Sequence, residues 1–252
     1  MNQLLCGEKI VKSFGTGDER RNILNGVSVE IGRGEFVSVM GPSGSGKSTL
    51  LYALGGMDGI DGGRVTFEGR DLATLSDDAL SDLRRNEMGF VFQQPTFLKT
   101  LNILDNIILH LMRDNRRNVK QLVQKARTLM KQVGIEDLEK REITQVSGGQ
   151  LQRAGICRAL MSDPKIVFGD EPTGALNSKS AREIMELLAH INEGGTAVLL
   201  VTHDVNIAAR TERVLFMRDG RLVGKLNFPR YYASEHEQRV EKITLQMRNI
   251  GI

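Results

Sequence analysis

Gly41, Pro42, Ser43, Gly44, Ser45, Gly46, Lys47 and Ser48 fit the pattern G-x-x-x-x-G-K-[ST]. A loop of this kind binds phosphate. Its glycines let backbone N–H groups turn inward around the anion, and the helix that follows adds the partial positive charge of its N-terminus. Lys47 is suited to the β- and γ-phosphates of a nucleotide, and the Ser48 hydroxyl, followed by Thr49, to Mg²⁺. Further along, residues 166–171 form an apolar run ending in Asp170 and Glu171. On a strand, successive side chains point to opposite faces. Asp170 can therefore serve the metal, directly or through water, while Glu171 polarises an attacking water.

These groups need elements to hold them. Residues 35–40 are a short apolar run that reads as a buried strand, and residues 47–54 read as a helix. Strand, glycine loop and helix are the context that the phosphate pattern requires. Residues 3–40 and 63–68 read as strands, with turns at 15–18 and 32–35. Residues 95–160 read as mostly helical, and Val119, Leu122, Val123, Ala126, Leu129, Met130 and Val133 recur on one helical stripe. Residues 165–226 alternate between strand and helix, as in a parallel sheet. Val240, Ile243 and Met247 form a short stripe in the tail 227–252, which is expected to be helical and to pack back on the rest. Residues 113–118 read as a solvated basic link, with lipid headgroups as the sharper alternative.

Composition narrows the class. With 34 basic and 31 acidic residues the net charge is +3, which makes no case for nucleic acid. Cys6 and Cys157 lie far apart and read as buried, reduced thiols, with a bridge left open. The first residues lack a signal peptide's charged start and long apolar core. The most apolar helical candidate, residues 101–112, is too short to cross a membrane and carries Asp105, Asn106 and His110.

Ser147-Gly148-Gly149-Gln150 makes the assignment specific. In sequence order with the phosphate loop and the Asp170–Glu171 pair, it resembles the signature of ABC-type ATPases, and the resemblance runs from about residue 3 to residue 226. It implies a P-loop α/β core with a mostly parallel sheet, an antiparallel β subdomain and a helical signature subdomain at about 95–160. The cofactors it implies are ATP and Mg²⁺. Phe14 then matches an aromatic that stacks on adenine. Gln93, one position before a second glutamine, matches the residue that joins the metal site to a transmembrane partner. His203 matches a switch histidine that contacts the γ-phosphate. Ser147 reads both as the cap of the helix after it and as a γ-phosphate donor.

Three positions depart from the family pattern. Val146 stands for the usual leucine before the signature, an apolar swap expected to be harmless. Gly169 stands for a larger apolar residue and is expected to cost some packing. Asn177 stands for an aspartate that lies at the family's dimer interface and helps organise the attacking water. The sequence around the motifs is similar to the ATPases of lipoprotein release, macrolide export and peptide-antibiotic resistance. The resemblance implies a homodimer around two ATP molecules that drives an integral membrane permease in a separate chain, placing this chain on the cytoplasmic face of the membrane. Two alternatives stand beside this. One is a regulatory ATPase that transmits force without moving cargo. The other is a soluble ABC ATPase acting on DNA or ribosomes, against which stand the single cassette and the lack of sustained heptads between Lys47 and Asp170.

Overall fold

The computed structural model describes residues 3–113 and 118–252. Most of the 113–118 link therefore lies outside the described residues. Two sheets form the frame. Strands β1 (Gln3–Phe14), β2 (Arg21–Gly32), β4 (Gly62–Phe67) and β5 (Arg70–Asp71) make an antiparallel sheet in the order β2-β1-β4-β5. The second sheet has six strands. They are β3 (Phe36–Met40), β6 (Met88–Phe92), β7 (Ile166–Asp170), β8 (Ala197–Thr202), β9 (Arg213–Arg218) and β10 (Arg221–Asn227), in the order β10-β9-β3-β8-β7-β6. All its neighbours pair in parallel except the β9–β10 hairpin at one edge.

Of the strands read over 3–40, only β1 and β2 join the antiparallel sheet; β3 lies inside the parallel one, between β8 and β9. All five β3 residues are buried, as a strand covered on both faces must be. Residues 221–227, assigned to a parallel sheet, run antiparallel because the tight Asp219–Gly220 turn permits only a hairpin return.

Helix α1 (Lys47–Leu54) is packed between the sheets. Its Leu50, Leu51 and Leu54 join Leu5, Ile10, Leu24 and Ile31 of the antiparallel sheet to Val37, Phe168 and Leu199 of the parallel one. Helix α2 (Asp77–Glu87) was not foreseen, although its start is well marked: Ser76 caps it through the Ala79 amide, and Asp77 and Asp78 complement the N-terminal dipole. The helical region holds α3 (Ile103–Ile108), α4 (Val119–Gln132) and α5 (Gly148–Leu160) around their own core. Ile107, Ala126, Met130 and Cys157 are buried in it, and Val146 packs against it. Asn106 is 2% exposed, yet its amide donates to the carbonyls of Leu98, Leu101 and Asn102 and accepts from the Leu98 amide. The polar residue that interrupts the apolar run thus ties the loop before α3 to the helix. Both cysteines are free and buried, and burial pushes the Cys157 thiol up to about 12.

Helix α6 (Ser178–Glu193) and the short α7 (Val205–Ala208) flank β8 in sequence. Helix α8 (His236–Asn249) ends the chain. Its Ile243 is fully buried, with Val240 and Met247 beside it, against Met40, Val214 and Phe216. Arg239, next to the tail stripe, is 2% exposed. Its guanidinium donates to the carbonyls of Pro229 and Arg230 at 2.8 Å and to Glu235 at 3.0 Å, and stacks over Phe228 and Tyr231. A planar fork with five donors can be buried where carbonyls and rings converge on it.

An ion network clips β4 to the core. Glu68 accepts from Lys165 at 2.6 Å and from Arg33. Glu87 accepts from Lys165 at 2.6 Å and from Arg70 at 2.7 Å. Hydrogen bonds from Lys165 and Arg33 hold the Glu68 carboxyl at about 2, against an ordinary value of 4.5. A depressed carboxyl stabilises the fold above its unfolded value, and that contribution fades as pH falls from about 4.5 toward 2. We expect Glu68→Gln to cost about 1 kcal/mol at neutral pH, after allowance for solvent screening. Urea denaturation at several pH values should show the gap closing below pH 4.5; a gap that persists unchanged at low pH would assign it to packing instead.

Candidate active site

The site gathers at the C-terminal edge of the parallel sheet, where α/β sheets hold ligands. The register explains how. Phe92 pairs with Asp170, Asp170 with Val201, and Met40 with Thr202. Gln93, Glu171, His203 and the phosphate loop at Gly41 each begin one residue beyond a strand end, on four strands that run adjacent as β6, β7, β8 and β3.

The loop is tightly built. A Cβ on Gly41 would lie 2.1 Å from the Met217 carbonyl oxygen, so no side chain fits. Gly46 has φ of 100°, a region that glycine alone enters freely, and a Cβ there would meet the Ile23 carbonyl at 2.8 Å. Lys47 is 7% exposed, and its ammonium donates at 2.9 Å to each of the Gly41 and Pro42 carbonyls. Burial lowers its pKa, while Glu171 and Asp170 oppose the shift. Ser45 Oγ is buried without a hydrogen-bond partner. A cradle with an aimed ammonium and a free hydroxyl suits an anion that brings its own acceptors.

The carboxylates stand opposite. Asp170 Oδ1 accepts from Ser48 Oγ at 2.8 Å, and Asp170 Oδ2 accepts from Tyr52 Oη at 2.5 Å. Burial and this carboxylate push the Tyr52 phenol well above its ordinary range. Glu171 has φ of 44° and donates its N–H to the Val201 carbonyl at 3.0 Å. Its Oε1 lies 2.8 Å from His203 Nδ1, which makes the two side chains one hydrogen-bonded unit. A hydroxyl and a carboxylate converging beside a phosphate cradle fit Mg²⁺, which is usually held by one or two carboxylates together with substrate phosphates. Ser48 and Asp170 are the residues that would hold it.

A cleft of about 480 Å³ joins these groups. It is lined by Phe14 and Ile23 from the antiparallel sheet, by Ser43, Gly44, Gly46, Lys47, Ser48 and Thr49, and by Gln93, Asp170 and Glu171. Gln93 lines it and Gln94 does not. Ile23 and Tyr52 were not anticipated. Phe14 is 47% exposed, with the Lys12 ammonium 5.2 Å from its ring centre.

The signature lies apart. None of residues 147–150 lines the cleft. Ser147 caps α5, accepting from the Gln150 amide at 3.3 Å, while the Gln150 side chain accepts from the Ser147 amide at 2.8 Å. Ser147 and Gly148 are exposed, and Gly149 abuts Ser180 of α6. Asn177 caps α6 through the Ser180 amide at 2.9 Å. Gly169 does not leave the gap expected of it, because a Cβ there would sit 2.5 Å from Leu200 Cδ2, in space that the buried Leu200 side chain already fills.

The sequence profile of the ABC transporter family matches residues 24–174. This chain is a member of the ABC transporter family. The cassette is 41% identical over 224 residues to the macrolide export ATP-binding/permease protein MacB of Pasteurella multocida, covering 88% of this chain and 34% of that protein. The MacB of Escherichia coli K12 matches at 41% over 223 residues, with the same shares covered. The cassette thus spans about a third of the length of these curated relatives. Among solved structures, the dimeric bacterial ABC transporter cassette MJ0796 superposes with a TM-score of 0.84 at 37% identity, covering 90% of this chain and all of that one. A dimeric post-hydrolysis state of MJ0796 bound to ADP and Pi superposes with a TM-score of 0.81 at 35% identity. The fold is that of an ABC ATPase cassette, and the chain belongs to the ATP-hydrolysing enzymes of that family.

Proposed function

We propose that the cassette binds Mg·ATP in the cleft beside Lys47 and hydrolyses it only as a head-to-tail homodimer. The observation that carries this reading is the division of parts. Ser43, Gly44, Gly46, Lys47, Ser48, Asp170 and Glu171 line one cleft, with His203 hydrogen-bonded to Glu171, while Ser147 and Gly148 face solvent elsewhere. A second copy can present its residues 147–150 to the phosphates of the first, and the MJ0796 relatives are dimers. In this reading the loop amides and Lys47 hold the phosphates, and Ser48 and Asp170 take the metal. Glu171 accepts the proton of the attacking water, with His203 fixing the carboxylate and reaching the γ-phosphate. Gln93 stands at the metal side, and the exposed ring of Phe14 stacks on adenine. Closure and reopening would move an integral membrane permease, which we assign to a separate chain. No helix among the described residues is long and apolar enough to cross a membrane. We place the cassette at the cytoplasmic face through that permease, with a drug or antimicrobial peptide as cargo. MacB, named as an ATP-binding/permease protein, supports this class.

Ser147→Arg tests the composite site. The monomer should keep wild-type nucleotide affinity, and the dimer should fail to close because a cation intrudes at the opposing phosphates. Mixed with Lys47→Ala, it should leave at most one working site per heterodimer. Equal loss of monomer affinity in both variants would refute the shared site. Co-purification from membranes, with identification of the bound chain, tests the permease.

A further inference from the structure

We propose that Tyr52 is a positioning residue for the metal: its hydroxyl fixes the Asp170 carboxylate in the orientation that Mg²⁺ requires. The inference rests on the reading of Ser48 and Asp170 as the metal's residues, and adds a residue that the phosphate-loop pattern does not contain.

Ser48 and Tyr52 are four residues apart on α1, so they share one face of the helix, and that face meets the end of β7. Each donates to a different oxygen of one carboxylate, at 2.8 and 2.5 Å. Asp170 ends its strand, where a side chain is otherwise free to rotate. A single donor would leave its plane free to turn about the bonded oxygen, whereas two donors on two oxygens fix it. Each oxygen keeps further acceptor capacity for a metal ion or a metal-bound water. The Tyr52 ring is itself held, 6.4 Å from the Phe92 ring and tilted by 53°. Phe92 is the register partner of Asp170 and immediately precedes Gln93. Outer partners of this kind orient metal ligands, and their loss usually costs 10- to 100-fold in metal affinity.

Tyr52→Phe keeps the ring and removes only the hydroxyl. With ATP fixed, the Mg²⁺ concentration for half-maximal nucleotide binding by calorimetry should rise about tenfold. ATP affinity in EDTA should match wild type. Asp170→Asn serves as the control for the underlying reading. If Asp170→Asn leaves the Mg²⁺ dependence unchanged, the assignment of the metal residues fails. If it shifts the dependence and Tyr52→Phe does not, the proposal alone fails. Equal losses with and without Mg²⁺ would reduce Tyr52 to a packing role.

Discussion

Glu171→Gln is expected to bind Mg·ATP and to turn it over about 100- to 10,000-fold more slowly, the usual loss when a general base is removed. The amide keeps the size of the carboxylate and can still hydrogen-bond His203 across the 2.8 Å contact, so the local geometry should persist. What it cannot do is accept the proton of the attacking water. The ATP-bound dimer should then accumulate, visible as a doubled mass in light scattering, preferably with the permease present. Wild-type turnover would remove Glu171 from the role assigned to it.

Lys47→Ala is expected to weaken nucleotide binding by about 10- to 100-fold, because it deletes a charge-assisted contact to the phosphates. The variant should also lose about 1–3 kcal/mol of stability, since the Gly41 and Pro42 carbonyls would lose their donor. The two effects separate by measurement. Calorimetric titration with ATP reads the first, and urea denaturation without nucleotide reads the second. Unchanged ATP affinity in a folded variant would contradict the phosphate-cradle reading.

Much of this site was legible before any coordinates because its parts lie in short contiguous patterns. Strand, glycine loop and helix at 36–54 form a local unit, and the loop's backbone is dictated by its glycines. Glu171 reads from the acid pair at a strand end, Gln93 and His203 from resemblance; in the fold each follows the last residue of a parallel strand. Non-local pairing was the hidden part. Nothing local in residues 36–40 says which sheet they join; covering both faces of β3 decides that, and the cover comes from distant segments. Tyr52 sits at helical spacing from Ser48, but the direction of that face depends on where β7 ends. Gly169 reads as a defect until Leu200, on the neighbouring strand, is seen to occupy the space. The burial of Arg239 is likewise non-local, since the carbonyls that accept from it come from four separate residues in the turns after α7 and β10. The start of α2 is marked locally, by Ser76 at the cap and by Asp77 and Asp78 in the first turn.

The packing of α8 bears on how the cassette is made. Met40, the residue just ahead of the phosphate loop, is covered with Phe216 by Ile243 and its neighbours. Those covering residues leave the ribosome long after Met40 does. During synthesis, one apolar flank of the central strand must therefore wait bare, in a chain that has already produced every segment lining the cleft. Domains fold as units during synthesis, and exposed apolar surface at that stage invites aggregation or chaperone binding. ATP present during translation would then be expected to meet a nearly complete cleft on an unfinished core, with the tail acting as the last clasp to close.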